Sequence, residues 1–339
     1  MRFGVQKIDY EKLKSFNGLK ALMCVLVVLF HYTSRYNQLF EEKPFLIDFP
    51  YGGKVGVFAF FLISGYLTIL TIGKCSSEGG VKWLAHKLFR LFPSFVVANV
   101  VIWGALNILS LPGRDNPSFV DLLINLTMIP GLSGYLDTAH WYVMSLVLFY
   151  VEIFLLNFFK VKIGWPLFLT VLLFNLLAVL NKHVHFLLPG CEDDLVLFVS
   201  TYACNLQVFC GVIMFYAIHK NTKYWIWLFL FYLAIRQIYL FPIVLLVGGL
   251  IALPLNYRCI SSLRRVLSAK ALTFVGGVSY IWYLVHQNIG YAIMRFCGDG
   301  FKHDLKPLIA MIATFVLAFF LFVFLSFLKK IMSRHEKSD

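Results

Sequence analysis

The fold follows from one stretch of the sequence, residues 16–32, FNGLKALMCVLVVLFHY. Ten uninterrupted apolar residues separate Lys20 from His31. In an α-helix the step from Lys20 to His31 turns by about 1100° and rises about 16 Å, so both side chains lie on one face. An ionisable side chain in the membrane interior is costly, and it usually faces other helices or a water-filled cavity. We therefore predict a membrane-spanning helix with Lys20 at the membrane edge and His31 as the chemical centre.

The composition excludes an ordinary soluble domain. The 339 residues are 60% hydrophobic and only 14% charged, whereas soluble domains are about 45–50% apolar. The apolar blocks are about twenty residues long, which suits helices, because strands of a membrane barrel are short and alternate apolar with polar residues. The sequence thus predicts an all-α, polytopic transmembrane bundle.

The apolar blocks predict about ten transmembrane helices within a single membrane domain, 1–339. They fall at residues 18–36, 54–73, 93–111, 139–159, 164–181, 196–218, 224–235, 238–256, 271–296 and 308–328. The blocks 224–235 and 238–256 are separated by a very tight polar turn, and the first is short, so eight full spans and a re-entrant pair would also fit.

The charge distribution predicts the orientation. Most of the 30 Lys and Arg residues fall in segments on the side of the N-terminus, and positive residues collect on the cytoplasmic side of membrane proteins. Both termini are therefore predicted to be cytoplasmic. This also explains the net charge of +13 without nucleic acid as a partner. The seven cysteines are scattered, and we predict no metal site.

A glycine-rich segment, GGKVGVFAFFLISGY at residues 52–66, opens the second predicted helix. Its small residues allow helices to approach closely, and Ser64 or Tyr66 could hydrogen-bond a neighbouring helix. Packing alone also explains this pattern.

A basic segment, KWLAHKLFRLFP at residues 82–93, follows. It has the character of an amphipathic interfacial stretch, and Pro93 is predicted to start the third helix. Lys87 and Arg90 are three residues apart and are predicted to face the same way. They serve either as charges that anchor the helix at the membrane surface or, beside Lys20, as a phosphate clamp.

Two further histidines lie near predicted helices. His140 and Trp141 begin the fourth helix, where an aromatic residue is expected at the membrane interface. His286 belongs to the segment SYIWYLVH, residues 279–286, about 22 Å along a helix that starts near residue 271. His31 is predicted at a similar depth, so the two histidines favour a functional site inside the membrane.

Taken together, these blocks resemble the integral-membrane acyltransferase-3 family, whose members O-acylate sugars of the cell envelope. The similarity covers the Lys20-to-His31 spacing, the segment 52–66, the block 87–93, Trp141, and the late Ser-Tyr and Tyr-Leu-x-His block 279–286. These motifs occur in order from about residue 14 to 330.

The resemblance implies a bacterial cytoplasmic-membrane enzyme that transfers an acyl group, most often from acetyl-CoA, to a hydroxyl of a polysaccharide or lipid-linked glycan. It implies His31 as the general base or a transient acyl carrier, with donor phosphates on Lys20, Lys87 and Arg90. Residues that could orient His31, stabilise an oxyanion or bind the acceptor are Ser64, Tyr66, His140, Trp141, Tyr283 and His286.

Two other functions stay open at this point. An exporter of a lipid-linked sugar or polysaccharide would also carry ionisable residues inside the membrane, although the sequence contains no internal repeat. A structural partner within a polysaccharide synthase would tolerate replacement of His31. Within the acyltransferase reading, capsule, exopolysaccharide, O-antigen and peptidoglycan are all candidate acceptors, and the donor could be succinyl-CoA or a longer acyl-CoA.

Overall fold

Helices make up all the regular structure in the described part of the chain. The fold comes from a computed structural model, which describes residues 10–72, 80–109, 111, 116–129, 135–161, 165–184, 192–219, 241–252, 258–298 and 302–335. No strand occurs in these ranges. The predicted all-α class is therefore confirmed.

The α-helices are numbered in chain order. They are α1 (Tyr10–Phe30), α2 (Tyr36–Phe40), α3 (Gly52–Ile72), α4 (Gly80–Leu109), α5 (Phe119–Leu126), α6 (Trp141–Phe158), α7 (Trp165–Val184), α8 (Glu192–Ala203), α9 (Asn205–His219), α10 (Phe241–Ala252), α11 (Arg258–Leu267), α12 (Lys270–Phe296) and α13 (Lys306–His335). Short 3₁₀ turns precede α6 and α13, at Thr138–His140 and His303–Leu305.

Six helical segments in the described ranges are both long and apolar enough to cross a membrane. They are Lys14–Phe40, Gly52–Ile72, Gly80–Leu109, Thr138–Phe158, Leu197–His219 and His303–Ile331. Six spans support a membrane protein but do not establish the predicted count of about ten. The predicted span 224–235 lies outside the described residues. Whether 224–256 forms a re-entrant pair therefore stays open. The cytoplasmic location of both termini stays a prediction.

The helix α12 lies in the interior of the bundle. It is 27 residues long, which gives a length of about 40 Å and is enough to span a bilayer. Lys270 and Arg295 at its ends are exposed, but the polar residues of its middle part, including Ser279, His286 and Asn288, are buried. They point into the bundle because α12 packs against α1, α4 and α13. The buried polar side chains of α12 are thus shielded from lipid by the neighbouring helices.

Glycines bring α1 close to two neighbouring helices. A methyl group added at Gly56 of α3 would lie 2.5 Å from the Met23 carbonyl oxygen of α1. One added at Gly276 of α12 would lie 2.0 Å from the Asn17 carbonyl oxygen. The backbones therefore pack at a distance that only a missing side chain permits, as is common between membrane helices. The glycine pattern of residues 52–66 has at least this packing role.

The prediction that Pro93 starts the third helix is wrong. Pro93 lies inside α4, a single helix of 30 residues that joins the basic segment 82–93 to the apolar span after it. Proline removes one backbone donor, and membrane helices tolerate this where neighbouring groups satisfy the freed carbonyl. The basic segment is therefore part of a spanning helix, which fixes the direction of its side chains relative to the bundle.

The chain leaves regular α-helical geometry at His31. Residues His31–Arg35 form a π-helical turn between α1 and α2. Such turns insert an extra residue into the helix, and they are often found at functional sites. The turn begins at the histidine that the sequence marks as the chemical centre.

Candidate active site

A cavity of about 330 Å³ opens between α1, α3, α4, α6, α12 and α13. At one end of the bundle, the Lys20 end, its wall carries Lys20, Arg90 and Lys329. Farther in, the wall consists of aromatic and small polar side chains, among them Ser64 and Tyr283. The cavity therefore joins a cationic mouth to a mainly apolar interior with a few hydroxyl groups, which is typical of sites for amphipathic ligands.

Three cations from three helices meet at the mouth of the cavity. Lys20 is half-buried on α1, whereas Arg90 on α4 and Lys329 on α13 are exposed. Like charges held together repel one another, and an anion bound between them relieves the repulsion. Guanidinium and ammonium groups are the usual partners of phosphate oxygens. The mouth is thus suited to a polyanionic ligand such as a nucleotide.

Lys87 does not line this cavity. Its side chain is buried, with Nζ 5.5 Å from the centre of the Trp83 ring and 5.2 Å from that of Tyr150. These distances fit cation–π contacts. Three residues turn a helix by about 300°, so Lys87 and Arg90 are offset by about 60° around α4. That offset lets Arg90 face the cavity while Lys87 packs against α6.

Hydroxyl groups and aromatic rings close the inner end of the cavity. Ser64 Oγ lies 3.4 Å from the Tyr142 hydroxyl, and the Tyr283 hydroxyl donates to the Ala139 carbonyl oxygen at 2.7 Å. The Tyr142 and Tyr283 rings meet edge to face, with centroids 5.4 Å apart. Phe60 packs on Tyr283 at 6.1 Å. Tyr283 therefore forms the wall between the cavity and the residues beyond it.

Two histidines lie directly behind that wall. The ring centroid of His286 is 5.6 Å from that of Tyr283 and 4.9 Å from that of His31. His31 is half-buried, and its Nδ1 lies 3.0 Å from the Tyr291 hydroxyl. The structure thus brings together the two histidines for which the sequence predicts similar depth.

Hydrogen bonds define which nitrogen of His286 carries the proton in its neutral form. His286 Nδ1 lies 2.7 Å from the Tyr283 carbonyl oxygen, and a carbonyl oxygen only accepts, so Nδ1 is the donor. Nε2 then holds a lone pair, and this buried atom has no hydrogen-bond partner in the described part of the chain. A lone pair held in this way is available to accept a proton or hydrogen bond from a bound group.

His140 has the complementary arrangement. Its Nε2 donates to the Leu284 carbonyl oxygen at 3.0 Å, and Nδ1 is buried without a hydrogen-bond partner among the described residues. Asp137, three residues earlier, is fully buried and accepts from the backbone N–H of Ala139 at 2.9 Å and of Asn288 at 3.1 Å. The start of α6 is thus tied to the turn of α12 that carries His286.

Tyr32 fixes the same turn of α12 from the other side. Its buried hydroxyl donates to the His286 carbonyl oxygen at 2.7 Å and lies 3.0 Å from Thr314 Oγ1. A methyl group added at Gly290 would lie 2.1 Å from this hydroxyl, so the contact requires a glycine there. The backbone around His286 is therefore held by the π-helical turn after α1, which in turn contacts α13.

The remaining predicted residues lie outside the cavity wall. The Tyr66 hydroxyl is 2.9 Å from His219 Nε2 on α9. Trp141 is half-buried, with its ring 5.7 Å from that of Phe61. Neither Tyr66 nor Trp141 lines the cavity. In the segment 52–66, the predicted residue that borders the cavity is Ser64. His140, beside Trp141, contacts α12 behind the cavity.

Three site residues were not singled out in the sequence. Tyr142 follows the marked Trp141 directly, Tyr291 lies five residues after His286, and Lys329 ends the last apolar span. Each is an ordinary residue for its place in a membrane helix, because tyrosines and lysines are common near membrane interfaces. Among the described residues, no group of three His, Cys, Asp or Glu side chains could hold a metal ion.

Comparison with known families identifies the chain. Residues 13–330 match the acyltransferase-3 family, described as "Acyltransferase domain". The chain belongs to the acyltransferase-3 family. This confirms the resemblance found in the sequence motifs and establishes a membrane acyltransferase in general terms. No curated protein and no solved structure matches the chain.

Proposed function

We propose that this acyltransferase moves an acyl group, most simply acetyl, from acyl-CoA to a hydroxyl of a cell-surface polysaccharide or lipid-linked glycan. The observation that carries the proposal is the cavity, which leads from a mouth with Lys20 and Arg90 to the wall in front of His31 and His286. In a bacterial cytoplasmic membrane, the Lys20 end would face the cytoplasm, where acyl-CoA is made.

The cavity suits an acyl-CoA because its two ends match the two ends of that molecule. The nucleotide end of CoA carries phosphates, for which Lys20 and Arg90 offer charge-assisted hydrogen bonds. The pantetheine arm is long and uncharged, and the wall between the mouth and Tyr283 is mostly apolar and aromatic. The Lys20-to-His31 step of about 16 Å is the distance that the arm would have to cover, and the cavity extends over the part of it between Lys20 and Tyr283.

In the proposed reaction the acceptor hydroxyl attacks the carbonyl carbon of the thioester. His31 takes the hydroxyl proton as general base, the C–O bond forms and the C–S bond breaks. The proton then passes to the leaving thiolate, so that the products are an ester and free CoA. A variant of this route, in which the His31 imidazole carries the acyl group first, uses the same atoms in two steps.

The residues around His31 have supporting parts in this proposal. The Tyr291 hydroxyl orients the His31 ring through Nδ1. The lone pair on His286 Nε2 can accept a hydrogen bond from a hydroxyl bound beside His31, as can the lone pair on His140 Nδ1 if that hydroxyl reaches it. Ser64 and Tyr142 line the cavity, and in this proposal their neighbouring hydroxyls stabilise the oxyanion.

The experiment that tests the donor is thermal unfolding of the purified protein in detergent with acetyl-CoA. A ligand that binds only the native state raises the apparent unfolding temperature. The diagnostic variant is Gly277→Phe. Gly277 lines the cavity, and a β-carbon added there meets no atom within 4 Å. The phenyl ring should fill the cavity and abolish the shift.

Gly104→Phe is the matched control, because Gly104 is also a helical glycine with open space around it and does not line the cavity. It should keep the wild-type shift. Transfer is then measured with radiolabelled acetyl-CoA in inverted membrane vesicles, as label in the glycan fraction. If saturating acetyl-CoA produces neither a shift nor labelled glycan, the proposal is wrong and an exporter becomes the better reading.

A further inference from the structure

The cationic mouth of the cavity contains two lysines, Lys20 and Lys329, that lie at different depths. The Tyr32 hydroxyl of the first membrane span lies 3.0 Å from Thr314 Oγ1 of α13, which sets a common level for these two helices. From this level, Lys20 lies about 18 Å along α1 and Lys329 about 22 Å along α13, at 1.5 Å per residue. Lys329 is therefore about one helical turn farther from the histidines.

This depth matches one particular group of a CoA donor. In CoA the thiol is at one end, the diphosphate follows the pantetheine arm, and the 3′-phosphate of the ribose lies at the nucleotide end. With the thioester near His31, the 3′-phosphate is the charged group farthest from it. Lys329 lies farther from the histidines than Lys20 and is exposed, as a site for the outermost part of the ligand requires.

From this relationship we infer that Lys329 binds the 3′-phosphate of the CoA donor, while Lys20 and Arg90 hold its diphosphate. The inference rests on the proposed function and adds a donor class to it. Acyl groups on carrier proteins are bound as thioesters to a phosphopantetheine arm, which has no 3′-phosphate. A subsite for this phosphate therefore selects free acyl-CoA over a carrier-protein thioester.

The test compares CoA with 3′-dephospho-CoA as ligands of the full-length protein in detergent. Affinities are measured by titration calorimetry or by thermal shift across ligand concentrations. We expect Lys329→Gln to weaken CoA binding by about 5- to 20-fold, the scale of one charge-assisted contact to phosphate. The same variant should bind 3′-dephospho-CoA as the wild type does, because the group that Lys329 contacts is missing from that ligand.

Lys330→Gln is the matched control, because it removes the same charge from the neighbouring position, which does not line the cavity. It should leave both affinities unchanged. Each variant should have the wild-type unfolding temperature without ligand. This excludes a folding defect as the cause of weaker binding.

The possible outcomes separate this inference from the proposed function. Suppose that the wild type binds CoA. If Lys329→Gln then weakens the binding of CoA and of 3′-dephospho-CoA equally, or changes neither affinity, the assignment of Lys329 is wrong and the donor proposal stands. If the wild type binds neither ligand, both are wrong. Loss of affinity for CoA alone, and only in Lys329→Gln, supports the inference.

Discussion

The imidazole rings of His31 and His286 lie edge to face with their centroids 4.9 Å apart, although one begins a π-helical turn after α1 and the other lies in the middle of α12. Buried polar rings are placed together in a membrane protein only where hydrogen bonds compensate the loss of water. Here the Tyr291 hydroxyl and the Tyr283 carbonyl oxygen each satisfy one ring nitrogen. His286 Nε2 is buried without a hydrogen-bond partner among the described residues, and we propose that it accepts a hydrogen bond from substrate.

Replacing His31 by alanine should abolish acyl transfer without preventing donor binding. The imidazole is the proposed base or acyl carrier, whereas the proposed site of the donor phosphates is about 16 Å away at Lys20. Label transfer from acetyl-CoA in membrane vesicles measures the first effect, and the thermal shift with CoA measures the second. Substantial transfer activity in a folded His31→Ala protein would remove His31 from the chemistry and favour a structural role.

For His286, two substitutions distinguish a chemical role from a structural one. Asparagine places its side-chain N–H near the position of Nδ1 and can still donate to the Tyr283 carbonyl oxygen, but it lacks the Nε2 lone pair. Alanine lacks both. We expect His286→Asn to keep the wild-type unfolding temperature and to lose about 100-fold or more in the rate of acyl transfer at saturating donor.

The alanine variant should be equally inactive and also less stable. The Tyr283 carbonyl oxygen loses its hydrogen-bond donor, and the missing imidazole ring leaves a cavity. These effects are separated by measuring transfer rates and unfolding temperatures on the same preparations. If His286→Asn is active and His286→Ala is inactive, the site needs the hydrogen bond to the Tyr283 carbonyl oxygen and not the Nε2 lone pair.

The sequence predicts the parts of the site that depend on one helix at a time. The ten apolar residues between Lys20 and His31 set both the membrane span and the separation of the two side chains. The depth of His286 follows from the start of its helix in the same way. Length and hydropathy therefore suffice for the all-α class and for the level at which the histidines lie.

The parts that depend on contacts between helices could not be read from the sequence. Lys87 and Arg90 share a motif, yet a rotation of about 60° sends one into an aromatic cluster and the other into the cavity. Lys329 resembles any basic residue at the end of a span until α13 is packed against α1 and α4. The prediction that a helix starts at Pro93 was wrong because neighbouring helices allow a proline to remain inside a membrane helix.

Gly290 should not tolerate even a methyl group. An added Cβ would lie 2.1 Å from the Tyr32 hydroxyl, which is buried and bonded to the His286 carbonyl oxygen. We expect Gly290→Ala to lower the free energy of unfolding by about 1–3 kcal/mol, as overpacked cores do, and to reduce acyl transfer by displacing the turn that carries His286. Thermal unfolding in detergent and the vesicle assay measure these two effects.

The control for Gly290 is the same substitution at Gly104, a helical glycine with no atom within 4 Å of the added carbon. Alanine there should stabilise the helix by up to about 1 kcal/mol, because glycine loses more backbone freedom on folding. If both alanine variants unfold at or above the wild-type temperature, the Tyr32 contact is not tight in solution, and the proposed support for His286 fails.

Lys87 and Arg90 should respond in opposite ways to loss of charge. Lys87→Met keeps the apolar stem between Trp83 and Tyr150 but loses the cation–π contacts, so it should lower the free energy of unfolding by about 0.5–2 kcal/mol and leave CoA affinity unchanged. Arg90→Gln removes a charge from the cavity mouth. It should weaken CoA binding by about 10-fold or more, with little change in unfolding temperature.

Thermal unfolding with and without CoA gives both quantities for each variant. Equal loss of CoA affinity in the two variants would restore Lys87 to the phosphate clamp that its spacing from Arg90 predicts, and would mean that its side chain leaves the aromatic cluster when the donor binds.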